Sequence, residues 1–263
     1  MLYIVATPIG NLKEITYRAV EILNQVDYIA CEDTRTSKVL LDYYGIKNKL
    51  VAYHKFNEKT ESLKIADDLS KGKNVALISD AGTPGISDPG SVLVNVLKER
   101  GLEYTVVSGP SALINAFVLS GFPTPFTFIG FLPDKVGKQR EMLLSYKNYD
   151  TTLIFYVSPH SFEENLKVMY EVFGDREFCV VREISKKFEE ITFANLGATY
   201  NGTVKGEFVV LIKPSDKKVD MDMSIEESIE YYMSQGLSKN DAIKLVAKER
   251  NLKKNDVYKH TVK

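Results

Sequence analysis

Over the first 120 residues, short apolar runs alternate with longer segments in which apolar side chains recur every three or four positions. The runs at 2–6, 26–31, 49–53, 75–79 and 103–107 have strand length and are rich in β-branched residues. The segments at 15–24, 36–44, 57–70, 91–100 and 111–120 have helical periodicity. Gly45, Gly72, Gly101 and Gly121 stand where these helices should end. Thr16, Thr36, Asn57 and Ser91 are the expected N-caps. Five β–α units in a row predict an open, mostly parallel five-stranded sheet with helices on both faces. Such sheets bind ligands beyond the carboxyl ends of their strands.

Pro123-Thr-Pro125 breaks the rhythm and reads as a linker. Strands are then expected at 126–131, 151–157, 177–184, 188–194 and 206–213, with helices near 135–147, 160–173 and 195–201. The few residues around Ser185-Lys-Lys187 that join two of these strands predict an antiparallel pair, and so a mixed second sheet. A polar stretch from Pro214 to Asp222 precedes three short helices at 224–235, 239–250 and 254–262, with Gly236 ending the first and Ser238 and Asp241 opening the second. The chain therefore reads as α/β throughout, with an N-terminal domain at 1–122, a C-terminal domain at 123–214 and a helical, helix-turn-helix-like tail at 215–263.

Composition narrows the class. The chain has 263 residues, 44% hydrophobic and 26% charged, as in ordinary globular proteins. The 34 Lys and Arg nearly balance the 35 Asp and Glu. Their distribution is uneven: eight basic and three acidic residues from Leu237 to Lys263 leave +5 on the tail and −6 on the remainder. A basic tail on an acidic body points towards nucleic acid, an inert solvated helical face being the alternative. Cys31 and Cys179 lie far apart in apolar runs and read as buried free thiols in a reducing cytoplasm. The three histidines are scattered, and no metal site is expected. With a strand at the very start and no long apolar run, neither a signal peptide nor a membrane span is expected.

The chemistry concentrates in the strand-end loops. Ser79-Asp-Ala-Gly-Thr-Pro-Gly-Ile-Ser-Asp-Pro-Gly90 holds three glycines, two prolines and two carboxylates. Glycine lets backbone approach a ligand closely and proline fixes φ. Asp80 and Asp88 argue against a phosphate ligand and for hydroxyl, amino or cationic groups. Thr7-Pro-Ile-Gly-Asn11 and Ser108-Gly-Pro-Ser-Ala112 offer similar loops. One alone reads as a tight turn; three together predict a ligand site. None fits GxGxxG, GxxxxGK[ST] or GxSxG.

These segments, with Ala30-Cys-Glu-Asp-Thr-Arg-Thr-Ser37, Gly130-Phe-Leu-Pro133, Phe155-Tyr-Val-Ser-Pro-His160, Val181-Arg-Glu183, Lys187-Phe-Glu-Glu190 and Gly206-Glu-Phe-Val-Val-Leu211, resemble the tetrapyrrole-methylase superfamily. The resemblance is closest to its ribosomal RNA small subunit methyltransferase I branch and covers essentially the whole chain. Tetrapyrrole enzymes usually carry Gly-x-Gly-Pro-Gly-Asp at the first loop; Thr-Pro-Ile-Gly-Asn here favours the RNA branch. The resemblance implies a homodimer that binds S-adenosylmethionine (SAM) in a cleft between two α/β domains. It implies methylation of the ribose 2′-oxygen of a cytidine in the decoding region of small-subunit rRNA, with free rRNA or the 30S subunit as partner. Cofactor contacts carry over to Pro8, Asp80, Ala81, Gly82, Thr83, Ile86, Ser108, Pro110 and Ser111, and from the second domain to Ala194 and Pro214.

A ribose hydroxyl is a poor acid, so a group must accept its proton. Glu32, Asp33, Arg35 and His54 are the candidates for proton transfer or RNA positioning, with Glu58, Arg182, Glu183, Lys187, Glu189 and Glu190 behind them. An ion-pair and cap cluster is the alternative at 32–35, and an ordinary surface histidine at His54. Lys244, Lys248, Arg250, Lys253 and Lys254 are the expected RNA contacts. The rival functions are a small-molecule, tetrapyrrole-type methylase and a non-catalytic ribosome-binding protein.

Overall fold

The computed structural model describes residues 1–215, 223–234, 236–250 and 252–260. The chain divides into two compact units, Met1–Leu119 with Val181–Glu190, and Ser120–Val180 with Ile191–Lys263.

In the first unit, strands β1 (Leu2–Val5), β2 (Tyr28–Cys31), β3 (Leu50–Ala52), β4 (Val75–Ile78) and β5 (Tyr104–Val107) form one sheet in the order β3-β2-β4-β1-β5. Every pairing is parallel. The period-2 alternation of the strands sorts the core. Leu2, Ile4, Tyr28, Ala30, Val75 and Leu77 pack with Ile65 and Leu69 of α3 (Glu58–Ser70) and Leu93 and Leu97 of α4 (Ser91–Arg100). Val5, Ile29, Cys31, Ala76 and Ile78 pack instead with Ala19 and Leu23 of α1 (Tyr17–Gln25) and Leu41 of α2 (Thr34–Tyr43). Strands buried on both faces between two helix layers are what continuous apolar runs require. Helix α5 (Ala112–Ser120) follows β5.

The second sheet runs β6-β7-β10-β8-β9, from β6 (Phe126–Phe131), β7 (Thr152–Val157), β8 (Glu177–Arg182), β9 (Glu190–Asn195) and β10 (Phe208–Ile212). It is mixed: β6 and β7 are parallel, β7 and β10 antiparallel. Helices α6 (Val136–Leu144) and α7 (Phe162–Phe173) precede β7 and β8. The last helices are α8 (Ile225–Ser234), α9 (Lys239–Glu249) and α10 (Lys254–Lys259). Their Ile229, Tyr232, Ile243, Val246 and Val257 belong to the same buried cluster as Phe155, Phe162, Phe178 and Val210. The tail is thus built into the second unit's core.

Three local expectations are corrected. No helix forms at 195–201; a turn follows Asn195, with Leu196 N–H donating to Arg176 O at 2.9 Å. A Cβ at Gly197 would lie 3.0 Å from the Tyr170 ring, so the chain there is pressed onto α7. Asp33, rather than Thr36, caps α2 by accepting from Arg35 N–H at 2.8 Å. Gly90, rather than Ser91, occupies the cap position of α4. Asn57 stands at the cap of α3 but makes no side-chain cap bond. Thr16 and Ser238 do cap α1 and α9. Of the expected tail, 216–222, Gln235, Asn251 and 261–263 lie outside the described residues.

Because Ile243 is fully buried, Ile243→Ala should cost about 3 kcal/mol in denaturant unfolding. A cost below about 0.5 kcal/mol, the value of a surface substitution, would show a tail that does not share the core.

Candidate functional site

Three loops meet at the carboxyl ends of β1, β4 and β5. Beyond the ladder of β1 and β4, Thr7 N–H donates to Gly82 O at 2.8 Å and Gly82 N–H returns to Thr7 O at 3.1 Å. The buried Thr7 Oγ1 donates to Ser79 O at 3.1 Å, and Ser79 Oγ to Ala81 O at 3.3 Å. Gly82 has φ +79°, and a Cβ there would lie 3.4 Å from Ile9 Cγ2 and 3.9 Å from Pro110 O. A Cβ on Gly109 would lie 2.8 Å from the Ala6 Cβ, so only glycine lets the third loop come this close. A Cβ on Gly10 would collide with the Lys186 side chain, which lies over the first loop.

The sequence-predicted cofactor residues of this unit therefore share one end of one sheet. Pro8 and Gly82 are buried within it; Thr83, Pro110 and Ser111 are half-buried; Asp80, Ala81, Ile86 and Ser108 face solvent. Ala194 and Pro214 belong to the second unit, Ala194 on β9 against its core and Pro214 just beyond β10.

Carboxylates gather at the same strand ends. Burial and the neighbouring Glu32 and Asp80 charges push the Asp88 carboxyl up to about 6. Burial, then Asp80, raises Glu32, with the His54 ring acting in the opposite sense. Burial also raises Asp80, whose Oδ1 accepts from Asp33 N–H at 3.2 Å. Asp33 behaves differently. Its carboxylate takes Arg35 Nη2 at 2.7 Å and Nε at 3.1 Å, and Arg35 holds it down at about 2. The Asp33–Arg35 pair is thus a cap and ion pair whose backbone steadies Asp80. Glu32, Asp80 and Asp88 remain as acids held near one another, a local potential suited to a cation.

His54 follows β3. Its backbone N–H donates to Asn57 Oδ1 at 2.8 Å, and its Nδ1 is buried with no partner among the described residues. Of the predicted RNA contacts, Lys248, Lys253 and Lys254 are exposed. Lys244 pairs with Asp241 at 2.7 Å. Arg250 is committed within the tail, donating to Met223 O, to Ser224 O at 3.3 Å and to Ser228 Oγ at 2.8 Å. Sequence reasoning left Asp88 out of the cofactor contacts and passed over Lys186. The Asp-Pro-Gly context of Asp88 looks like any turn, and only the closure of the loop brings that carboxyl to Glu32. Among the described residues, no group of His, Cys, Asp and Glu could hold a metal ion, and both cysteines are buried free thiols.

Residues 1–199 match the family described as Tetrapyrrole (Corrin/Porphyrin) Methylases. The chain is 40% identical over 268 residues to the ribosomal RNA small subunit methyltransferase I of Halalkalibacterium halodurans, covering 98% of this chain and 93% of that protein. It is 46% identical over 214 residues to the protein of the same name from Mycoplasmopsis pulmonis, covering 80% and 96%. A uroporphyrin-III-C-methyltransferase from Thermus thermophilus shares the fold, with a TM-score of 0.56 at 15% identity over 81% of this chain and 93% of that one. The chain belongs to the tetrapyrrole methylase family.

Proposed function

We propose that this chain is a SAM-dependent methyltransferase acting on the ribose 2′-oxygen of a cytidine in the decoding region of small-subunit rRNA. The RNA substrate is supported by the likeness to relatives named ribosomal RNA small subunit methyltransferase I over nearly the whole chain. The observation that carries the chemistry is the acid cluster of Glu32, Asp80 and Asp88 beside a glycine-lined backbone cradle. Its donor set suits a ligand that is cationic at a sulfonium and an amine. Bound SAM would supply an electrophilic methyl group there.

The chain's own residues supply orientation, charge and a base. Pro8, Ala81, Gly82, Thr83, Ile86, Ser108, Pro110 and Ser111 form the wall, and Asp80 supplies the charge closest to it. Ala194 and Pro214 are assigned to the cofactor by family resemblance alone. Orientation accounts for much of the rate in a displacement of this kind. Glu32 is assigned the hydroxyl proton, since a carboxylate with a raised pKa is a better base than an ordinary one. Asp33 and Arg35 act as a scaffold that steadies Asp80, and His54 lines the same end of the sheet. On the first unit, the edge strand β5 exposes Tyr104 and Val106, and α5 exposes Ile114, Val118 and Leu119. This apolar surface is assigned to a homodimer contact. No described helix is long and apolar enough to cross a membrane.

Labelled methyl from SAM should pass to small ribosomal subunits and not to tetrapyrrole precursors, and Glu32→Gln should slow it by at least about 100-fold. Equal transfer to a porphyrinogen would sink the RNA reading; failure of SAM to bind in calorimetry would leave a non-catalytic ribosome-binding protein.

The raised Asp88 carboxyl predicts opposite pH trends. The folded state binds this proton more tightly than the unfolded chain does, whose aspartate titrates near 4. Its contribution to stability is therefore most favourable below about 4 and declines as pH rises through about 6. Asp88→Asn should stabilise the ligand-free protein by roughly 1 kcal/mol at pH 7 and hardly at pH 4. SAM affinity should rise over the same window in the wild type and less so in Asp88→Asn, measured by calorimetry. Parallel trends in both proteins would separate Asp88 from the cofactor.

With Lys244 paired with Asp241 and Arg250 bonded to Met223, Ser224 and Ser228, Lys248, Lys253 and Lys254 are the proposed phosphate contacts. Changing all three to Gln should flatten the slope of log K against log salt by about 2 for a single-stranded target while leaving SAM binding intact. An unchanged slope would remove the tail from the RNA interface.

A further inference from the structure

Among the described residues, Phe56 is the most exposed large apolar side chain, at 95%. It is also held in place. His54 N–H donates to Asn57 Oδ1 at 2.8 Å, and Asn57 Nδ2 donates to Ala52 O at 3.0 Å. The N–H groups of Asn57 and Glu58 both donate to His54 O, at 3.0 and 2.9 Å. The turn that carries Phe56 is therefore fastened to the carboxyl end of β3 and to the start of α3. The Phe56 ring meets the His54 ring edge-on, with centroids 6.0 Å apart. His54 in turn stands close enough to Glu32 to act on its charge. An aromatic ring on an ordered turn thus stands at the same end of the sheet as the acid cluster, with His54 between them, left in water at a cost that burial would recover.

We propose that Phe56 is a stacking residue for the RNA substrate, taking an unpaired nucleobase beside the acceptor ribose. This rests on the rRNA reading above. Glu32, Asp80 and Asp88 repel phosphates, so the strand needs a contact here that does not depend on opposite charge. A neutral ring provides one, because every base has a π-face. Since the turn is already ordered, little freedom is lost when the base arrives.

The chain contains no tryptophan, so Phe56→Trp makes a single-tryptophan protein whose emission reports on this position. Small-subunit rRNA should quench that emission, and the variant should retain methyl transfer. Phe56→Ala should raise KM for the RNA about tenfold, with SAM affinity and the salt slope of RNA binding unchanged. Asn57→Ala, which frees the turn and keeps the ring, should raise KM by a smaller factor. Wild-type KM in Phe56→Ala, or tryptophan emission indifferent to RNA, would overturn the proposal. So would a loss of dimer in Phe56→Ala during sedimentation, which would place the ring in a subunit contact. If the wild type transfers no methyl to RNA, the broader reading fails first, and stacking with it.

Discussion

The paired backbone hydrogen bonds between Thr7 and Gly82 are the constraint on which the site depends. Parallel strands β1 and β4 lie side by side, but parallel neighbours ordinarily diverge at their carboxyl ends into separate loops. Here the ladder is followed by an isolated antiparallel bridge, so two loops travelling to different helices are joined. The buried Thr7 hydroxyl reinforces the join through Ser79 O. Glycine at 82 and 109 then lets the loop after β5 close on the same point. A Cβ at Gly109 would collide with that of Ala6, and at Gly82 the φ of +79° strains any other residue.

That closure also sets the electrostatics. Asp80 and Asp88 stand eight positions apart in sequence, yet their charges act on each other, and Glu32 from a neighbouring strand acts on both or is acted on by them. Arg35 neutralises Asp33 directly, while Asp33 N–H donates to Asp80 Oδ1. The remaining repulsion favours a cation over a neutral ligand of the same shape. For a sulfonium methyl donor this has a useful asymmetry: the demethylated product lacks the sulfonium charge, so the same carboxylates that favour the donor hold the product less firmly.

The alternation of apolar runs in the first 120 residues carried the five-stranded parallel sheet, its helices and the strand-end location of the site, because the central strands β1, β2 and β4 are buried on both faces and the flanking helices on one. The second unit was legible as a mixed sheet from the short connection around Ser185-Lys-Lys187, too short for a parallel crossover. What pattern could not carry was contact between distant residues. Asp33 rather than Thr36 caps α2 because its side chain is also the partner of Arg35. Leu196 fits a helical period, but Gly197 must lie flat against Tyr170, and a turn results. Arg250 is a surface cation, as its sequence context suggests, but its guanidinium is engaged by Met223 O, Ser224 O and Ser228 Oγ, which no local pattern foretells. Asp88 was visible as a carboxylate, and its proximity to Glu32 was not.

An acidic methyl-donor site and a polyanionic substrate would be at odds, and in the proposed function the two demands fall to different residues. The tail is not a loose basic appendage: Tyr232, Ile243 and Val257 lie in the same core as the second sheet. Its exposed lysines are therefore carried on a folded surface, where phosphate contacts can fix register as well as supply attraction. Near the carboxylates, charge can no longer help, and the ring of Phe56 offers the kind of contact that survives there. Affinity from lysine and placement from an aromatic face respond differently to salt. That difference would separate the two proposed contributions to RNA binding.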